Sequence, residues 1–342
     1  MDDAAGTAAA GPRADVAGEG RSRDPTGTRP GGSPLFIVMN AASGRLDVAE
    51  RRDAVLSVLR ASGREHALLE APEPAALAAT AREALRRAIE RDGAVVAAGG
   101  DGTINAVVQQ VIGSGRPLGL LPQGTFNYFA RAHGVPTDPA DAAGALLRAR
   151  PVPIRVGRVG DRVFLVNASV GLYPDLLEDR EAWKRRFGRS RFVALLSGLA
   201  TLARGVRPMR LALTVGGATR GVRTSTLFVG NNAIQLERLG LPVDASIGDG
   251  RLAAIVVPPY GALRLLGLAL RGALGELGDA ASLQRLDVER LVVRPSRLRP
   301  RLRMRVATDG EILRMPVPLR VEVHPQPLHL LVPAPQDAVE RR

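Results

Sequence analysis

The chain has 342 residues, of which 45% are hydrophobic and 3% aromatic, and this predicts about two domains with cores of Leu, Val and Ala. Its formal net charge of +13 favours an anionic membrane or a phosphorylated substrate; nucleic acid is not expected, because few rings are available to stack on bases. The sequence has no cysteine, which excludes thiol chemistry and cysteine metal sites. Its one lysine, Lys184, lies outside any glycine-rich loop, which excludes the Walker A and protein-kinase phosphate sites.

The two ends of the chain are predicted to be tails. Residues 1–33 are rich in Ala, Gly, Asp, Arg and Pro without an apolar stretch, which predicts a disordered tail and no signal peptide. Residues 333–342 are a second tail. No segment approaches 18 uninterrupted apolar residues, so we expect no transmembrane span.

Residues 34–150 alternate between strand and helix patterns. The sequence predicts strands at 35–39, 66–69, 94–98 and 118–121, and helices at about 47–59, 74–90, 126–133 and 138–149. In the second helix the predicted buried face is Leu77, Ala81, Leu85 and Ile89. This alternation predicts right-handed βαβ units and an α/β domain with a parallel sheet.

Three polar loops follow strands of this predicted sheet. They read Asn40-Ala41-Ala42-Ser43-Gly44, Gly99-Gly100-Asp101-Gly102-Thr103-Ile104-Asn105, and Pro122-Gln123-Gly124-Thr125-Phe126-Asn127. Ligands of such sheets bind at the carboxyl ends of the strands, so we expect the three loops to converge on one site. The middle loop opens a helical pattern in which Ile104, Val107, Val108 and Val111 share one face. Glycines and a helix N-terminus suit phosphate, and Asp101 suits a metal or a hydroxyl beside it. The alternative for the middle loop is an ordinary turn in which Asp101 caps a helix.

Residues 151–332 show short strand patterns that predict a second, β-rich domain, either a sandwich or a distorted barrel. The predicted strands are at 154–159, 162–168, 210–215, 223–229, 252–257, 288–293, 302–307 and 319–323. Two helices are predicted within this region, at about 192–203 and 262–274. They are either core-packing helices or membrane-surface helices.

The late part of this region combines arginines with carboxylates. In an extended strand over 297–305 every arginine lies on one face, and Pro300 predicts an edge position. That face is either a solvated edge that discourages strand pairing or an anion-binding surface. The following Asp309-Gly310-Glu311 supplies two carboxylates, which are either plain turn residues or a candidate general base.

These residues resemble the diacylglycerol kinase catalytic-domain family, which includes bacterial lipid kinases and sphingosine kinases. The resemblance covers about residues 34–332. Its motifs are Asn40-x-x-Ser43-Gly44, Gly99 to Asn105, Leu121-Pro122-x-Gly124-Thr125-x-Asn127-x-Phe129-Ala130, Asn167-x-x-x-Gly171, Asp249-Gly250 and Asp309-Gly310-Glu311. The first glycine loop alone is shared with NAD kinases, whereas the later motifs favour lipid kinases.

The resemblance implies transfer of the ATP γ-phosphoryl group to a lipid hydroxyl, diacylglycerol-like or sphingoid-like, with Mg²⁺. It implies that Glu311 is the proton acceptor, that Asp101 positions Mg²⁺ and the triphosphate, and that Asp309 belongs to the catalytic group. The implied nucleotide-binding residues are Asn40, Ser43, Gly44, Gly99, Gly100, Asp101, Gly102, Thr103, Ile104, Asn105, Gly124, Thr125 and Asn127. A structural Mg²⁺ would bind the Asp249 carboxylate and the carbonyls of Ser246 and Arg251.

The chain differs from the family pattern at two positions. Tyr128 stands where many members carry Asp, and Ala71 lies where a Thr or Ser commonly ends the second strand. We expect an active kinase that is cytoplasmic and peripheral at the inner face of the membrane. Two other functions stay open: an NAD-kinase-like phosphotransferase with a soluble acceptor, and a non-catalytic module that binds anionic lipid.

Overall fold

The computed structural model describes residues 32–40, 45–172, 174, 208–231, 250–261, 264–265, 267, 271, 283–296 and 303–340. Several predicted features lie outside these residues. They are the helix at 192–203, most of the helix at 262–274, both tails except for their inner residues, Pro300, and the site residues Ser43, Gly44, Ser246 and Asp249.

The N-terminal half contains the predicted parallel sheet. Its strands are β1 (Leu35–Asn40), β2 (His66–Ala71), β3 (Ala94–Gly99) and β4 (Leu118–Pro122). They lie side by side in the order β2-β1-β3-β4, and every neighbouring pair is parallel. Strands β1, β3 and β4 are buried almost throughout because helices cover both faces of the sheet, which explains their continuous apolar runs.

The described residues contain five α-helices around this sheet, one for each helical stretch predicted in this half. They are α1 (Arg45–Ala61), α2 (Leu77–Glu90), α3 (Asp101–Val111), α4 (Tyr128–Ala132) and α5 (Pro139–Arg148). Helices α2 and α3 pack on one face, and α1 and α5 pack on the other. The buried face of α2 differs from the prediction at its end, because Ala84 and Ala88 are buried while Ile89 is 56% exposed.

Two strands from the predicted second domain extend the first sheet. They are β5 (Arg150–Ile154) and β18 (Leu328–Val332). Strand β18 lies parallel to β4, and β5 pairs antiparallel with β18 at the edge. The chain therefore returns to the α/β sheet after it has built the β-rich region. The boundary predicted near residue 150 is crossed by these strand pairings.

The β-rich region contains two six-stranded sheets. The first sheet has the order β10-β9-β14-β17-β6-β7, and the second has the order β13-β12-β11-β8-β15-β16. Their bounds are β6 (Gly157–Val159), β7 (Arg162–Phe164), β8 (Asn167–Gly171), β9 (Met209–Val215), β10 (Ala218–Thr224), β11 (Thr226–Gly230), β12 (Leu252–Val257), β13 (Gln284–Val288), β14 (Arg290–Pro295), β15 (Arg303–Thr308), β16 (Glu311–Pro316) and β17 (Leu319–Val323).

One hydrophobic core joins the inner faces of these two sheets. It includes Phe164 and Leu213 from one sheet and Leu227 and Val306 from the other. The predicted β-sandwich is thus confirmed.

Several predicted strands are wrong in their bounds. The stretches 154–159, 162–168, 223–229 and 288–293 each contain parts of two strands, and β16 and β18 were not predicted.

Strand β15 contains the described part of the predicted arginine face, residues 303–305. Arg303 and Arg305 alternate with Met304, and Met304 packs on the core as the pattern predicts. Pro300, on which the predicted edge position rests, lies outside the described residues, and β15 as a whole lies between β8 and β16. Only Val306–Thr308 pair with β8, however, so within the described residues Arg303 and Arg305 pair on one side alone, with β16.

Candidate active site

The strand order places the candidate site between β1 and β3, where the order in which the chain adds strands to the sheet reverses. The chain passes from β1 to β2 on one side and then crosses to β3 on the other side of β1. A crevice forms where connections leave neighbouring strands in opposite directions, and ligands of open parallel sheets bind there. Asn40 ends β1 at this edge, and Gly99 ends β3 beside it, since Met39 pairs with Ala98.

The loops after β3 and β4 touch through their backbones. A Cβ atom on Gly124 would lie 2.7 Å from the Cα of Gly100, so only glycine fits at this contact. The backbone N–H of Gln123 donates to the Gly99 carbonyl at 2.9 Å and closes the two loops together. The convergence predicted for these two loops is therefore present in the structure.

Asn127 fixes the shape of the second of these loops. Its side-chain oxygen accepts from the Gly124 N–H at 2.9 Å, and its Nδ2 donates to the Gly124 carbonyl at 2.9 Å. Its backbone is left-handed, with φ of 50°, a conformation that Asn tolerates better than most residues. The Asn127 side chain thus holds the loop closed, and Thr125 lies within that loop.

Asp101 is the first residue of α3 and faces the start of α4. Its Oδ1 accepts from the Phe129 N–H at 3.3 Å. Burial raises the pKa of Asp101, and hydrogen bonds from the N–H groups of Phe129, Tyr128 and Asn127 oppose that rise. The carboxylate therefore lies between two helix N-termini, at the mouth of the glycine loops. The N–H groups of the first turn of α3 have no partner within the helix and are suited to an anion.

The Asp309 carboxylate is enclosed by donors. Oδ2 accepts from the Leu165 N–H at 2.7 Å and from Asn105 Nδ2 at 2.6 Å, and Oδ1 accepts from the N–H groups of Val166 and Asn167 at 2.9 and 3.0 Å. Burial raises the pKa of Asp309, and these hydrogen bonds oppose that rise. With both oxygens occupied, this side chain holds the β7–β8 connection against α3 rather than facing a substrate.

Asn105 and Gln109 complete the link between α3 and the β-rich region. Both lie on one side of α3, one turn apart, and Gln109 Nε2 donates to Asn105 Oδ1 at 2.9 Å. Gln109 also donates to the Val163 carbonyl at 2.8 Å and accepts from the Val163 N–H at 3.1 Å. The helix that begins at the glycine loop is thus bonded to β7 and, through Asn105, to Asp309.

Glu311 is the more exposed carboxylate of the same hairpin. Asp309 and Gly310 form the turn between β15 and β16, and both have positive φ, as in a type I′ turn. Glu311 begins β16, is 52% exposed, and forms an ion pair with Arg162 of β7. Because Asp309 fixes the turn to α3, the start of β16, where Glu311 lies, is held two residues from that contact.

The structure brings most of the described site residues into one neighbourhood. Gly99, Gly100, Gly102, Thr103 and Ile104 surround the start of α3, with Thr103 and Ile104 buried. Arg251 lies at the start of β12, and its predicted metal partners are outside the described residues. The nucleotide and metal roles of these residues stay predictions. Reasoning from the sequence missed Arg162 and Gln109, since neither belongs to a motif and their contacts cross 149 and 54 residues.

The residues present fit ATP with Mg²⁺. The part of the chain that the structure describes contains no group of three or more His, Cys, Asp or Glu side chains that could hold a metal by themselves. Mg²⁺ commonly uses one or two carboxylates together with phosphate oxygens and water. Asp101 is the carboxylate at the glycine loops and would supply that ligand, while the N–H groups of α3 would hold phosphate.

Models of two protein domains match this chain. The model of the diacylglycerol kinase catalytic domain matches residues 34–159, and the model of the YegS C-terminal NAD kinase beta sandwich-like domain matches residues 173–332. A Pseudomonas putida protein named "Probable lipid kinase YegS-like" is 31% identical over 251 residues, which cover 70% of this chain and 77% of that protein. The chain belongs to the diacylglycerol kinase catalytic-domain family.

The chain is also similar to a further relative and to a solved structure. A Mycobacterium tuberculosis protein named "Diacylglycerol kinase" is 29% identical over 250 residues, which cover 70% of this chain and 77% of that protein. A solved Bacillus anthracis structure described as a diacylglycerol kinase superposes with a TM-score of 0.64 at 19% identity, covering 90% of this chain and 98% of that chain. The structural match confirms the predicted fold. Among the described residues, no helix has the length and apolar character needed to cross a bilayer.

Proposed function

We propose that the protein is an ATP- and Mg²⁺-dependent lipid kinase that transfers the γ-phosphoryl group to a hydroxyl of a diacylglycerol-like or sphingoid-like lipid. One observation carries the proposal: the Asp309 carboxylate binds Asn105 of α3 at 2.6 Å and so joins the Glu311 hairpin to the helix of the glycine loop. Phosphoryl transfer depends on such positioning and on charge neutralisation more than on covalent chemistry. The family assignment supports the same reaction type.

In this proposal α3 and the β15–β16 hairpin, which meet at the junction formed by Asn105 and Asp309, have different roles. The glycine loops and the N-terminus of α3 bind the triphosphate through backbone N–H groups. Bound Mg²⁺ would neutralise phosphate charge beside Asp101. Glu311 accepts the proton of the lipid hydroxyl through its carboxylate, and Arg162 orients that carboxylate through the ion pair. Asp309 positions Glu311 and touches neither reactant.

The test measures phosphate transfer from labelled ATP, with Mg²⁺, to a panel of lipids in detergent micelles, with the product identified by mass spectrometry. Glu311→Gln and Asp101→Asn should each lower kcat on the order of 100-fold or more, because a proton acceptor or a charge-stabilising group is lost. Glu289→Gln changes an exposed carboxylate in the turn after β13 and should leave the rate unchanged.

Three outcomes would contradict the proposal. Full activity of Glu311→Gln or Asp101→Asn would remove the assigned roles. Phosphorylation of NAD without any lipid would favour a phosphotransferase with a soluble acceptor. Lipid binding by the wild type without ATP consumption would favour a non-catalytic module.

A further inference from the structure

A groove lies between the end strands of the two β-sheets. Strand β7 ends one sheet and β16 ends the other, and the groove between them has a volume of about 740 Å³. Its walls are the turn at 159–162, the segment at 313–320, Arg303, and Gln109 and Gln110 of α3. The Gly160 N–H donates to the Arg320 carbonyl at 2.8 Å, which fixes one wall to the other.

The groove is strongly basic. Among the described residues that line it, four are arginines and one is acidic: Arg162, Arg303, Arg314, Arg320 and Asp161. The Arg303 side chain is oriented by the backbone of Arg314, since its Nε and Nη2 donate to the Arg314 carbonyl at 3.2 and 3.0 Å. Arg314 and Arg320 are exposed. A ligand with negative charge therefore meets several guanidinium groups in one concave surface.

The same groove also carries an apolar strip. Leu313, Met315 and Val317 line the groove and are partly buried, and Met315 and Val317 also pack on the core between the two sheets. No described lining residue is aromatic, so bases of a nucleic acid would find no ring to stack on. A groove lined by both arginines and apolar side chains matches an amphiphile with an anionic head.

We propose that this basic groove is the docking surface for acidic phospholipid headgroups of a membrane, distinct from the catalytic cleft. Arg162 connects the two, because it lines the groove and forms the ion pair with Glu311. A membrane held there lies beside the proton acceptor. The proposal rests on the proposed function only in that the acceptor is a lipid, and docking itself requires no phosphate transfer.

The test is vesicle binding without ATP. The full chain is mixed with vesicles of phosphatidylglycerol and phosphatidylcholine, or of phosphatidylcholine alone, and the bound fraction is measured by flotation. Arg314→Gln/Arg320→Gln should lower the partition coefficient for the anionic vesicles about 30-fold, which corresponds to roughly 1 kcal/mol for each arginine. High salt should weaken wild-type binding, since the attraction between surface charges is screened.

A matched control removes the same charge elsewhere. Arg210 and Arg223 are exposed, oppose each other across β9 and β10, and lie at the far end of the sheet that β7 ends. Arg210→Gln/Arg223→Gln should retain most of the binding. Both double variants should keep the wild-type thermal midpoint and the wild-type rate in neutral detergent micelles, and this separates docking from catalysis.

Several results would overturn the proposal. An equal loss in the two double variants would show an attraction to net charge alone. Unchanged binding by Arg314→Gln/Arg320→Gln would indicate that these arginines only discourage pairing of the edge strand with other chains. Equal wild-type binding to neutral vesicles, or a groove-dependent affinity for DNA that exceeds that for anionic vesicles, would also refute it. If the wild-type protein were active in micelles but did not bind the anionic vesicles, docking would be refuted and the proposed function would still stand.

Discussion

Asp309 and Glu322 are both largely enclosed carboxylates of the β-rich region, but they are held in opposite ways. Asp309, at the junction with α3, faces three backbone N–H groups and one amide. Glu322 of β17 is opposed by Arg158 and Arg290 in one cross-strand row on a sheet face. One is stabilised by neutral dipoles and the other by cations.

The difference fits the position of Asp309 beside the proposed phosphoryl-transfer site. Neutral N–H groups are fixed by the backbone and bring no extra charge to the region where ATP and Mg²⁺ are proposed to bind. Arg162, which lies beside the Asp309 hairpin, pairs with Glu311 and not with Asp309. Glu322 lies on a sheet face outside the proposed site, where two arginines hold it by ion pairs.

Removing Asp309 should produce the largest stability loss. Asp309→Ala leaves four donors without their acceptor and places Ala at a left-handed φ of 46°, so we expect a loss of about 4 kcal/mol in the free energy of unfolding. Asp309→Asn keeps one acceptor oxygen and tolerates that backbone, and it should lose about half as much. Urea denaturation followed by circular dichroism measures both.

Glu311→Ala is the control on the same hairpin. It removes an exposed ion pair and should cost less than about 1 kcal/mol. If Asp309→Ala were as stable as Glu311→Ala, the neutral donors around Asp309 would not be the link that holds the junction.

Local patterns predicted the part of the molecule that is local in sequence. The apolar run at Ala94–Ala98 predicted β3, and the shared face of Ile104, Val107, Val108 and Val111 predicted α3. The glycine loops were predicted to meet, and Gly100 and Gly124 do so. The alternation in residues 303–305 predicted which side chain enters the core.

Features that depend on distant partners were not predictable in this way. Strand β18 enters the first sheet, and Asp309 binds Asn105 across 204 residues, a contact that no periodicity reveals. Four predicted strands each span parts of two observed strands, and the cause is local. The breaks at 155–156, 165–166, 225 and 289 contain no Gly or Pro, so the apolar pattern ran through them. The Asp309-Gly310 turn signal was present, and reading it as a hairpin would have predicted β16.

The two arginines on Glu322 should differ in their contribution. Arg158 is 31% exposed and Arg290 is 72% exposed, so water weakens the second ion pair more. Arg158→Gln should lower the free energy of unfolding by about 1.5 kcal/mol, and Arg290→Gln by less than about 0.5 kcal/mol, in thermal or urea denaturation. An equal effect of both, or a larger effect of Arg290→Gln, would contradict the assigned difference.

The smallest effect is a pH dependence with opposite signs at the two carboxylates. Burial alone would raise the pKa of Glu322, but hydrogen bonds from Arg158 and Arg290 outweigh it and lower the pKa below its ordinary 4.5. Its stabilisation is therefore complete above that value and is lost as the pH falls through the lowered pKa. For Asp309 the folded-state pKa is raised above 3.8, so its contribution is lost as the pH rises through the raised value.

Unfolding free energies measured from about pH 3 to about pH 7 separate these contributions. Glu322→Gln should flatten the loss of stability on the acid side, because the protonation that weakens the ion pairs no longer occurs. Asp309→Asn should steepen that loss, since it removes the contribution that runs in the opposite direction. An acid limb that is the same in Glu322→Gln and the wild type would show that the arginines do not hold Glu322 in its ionised form.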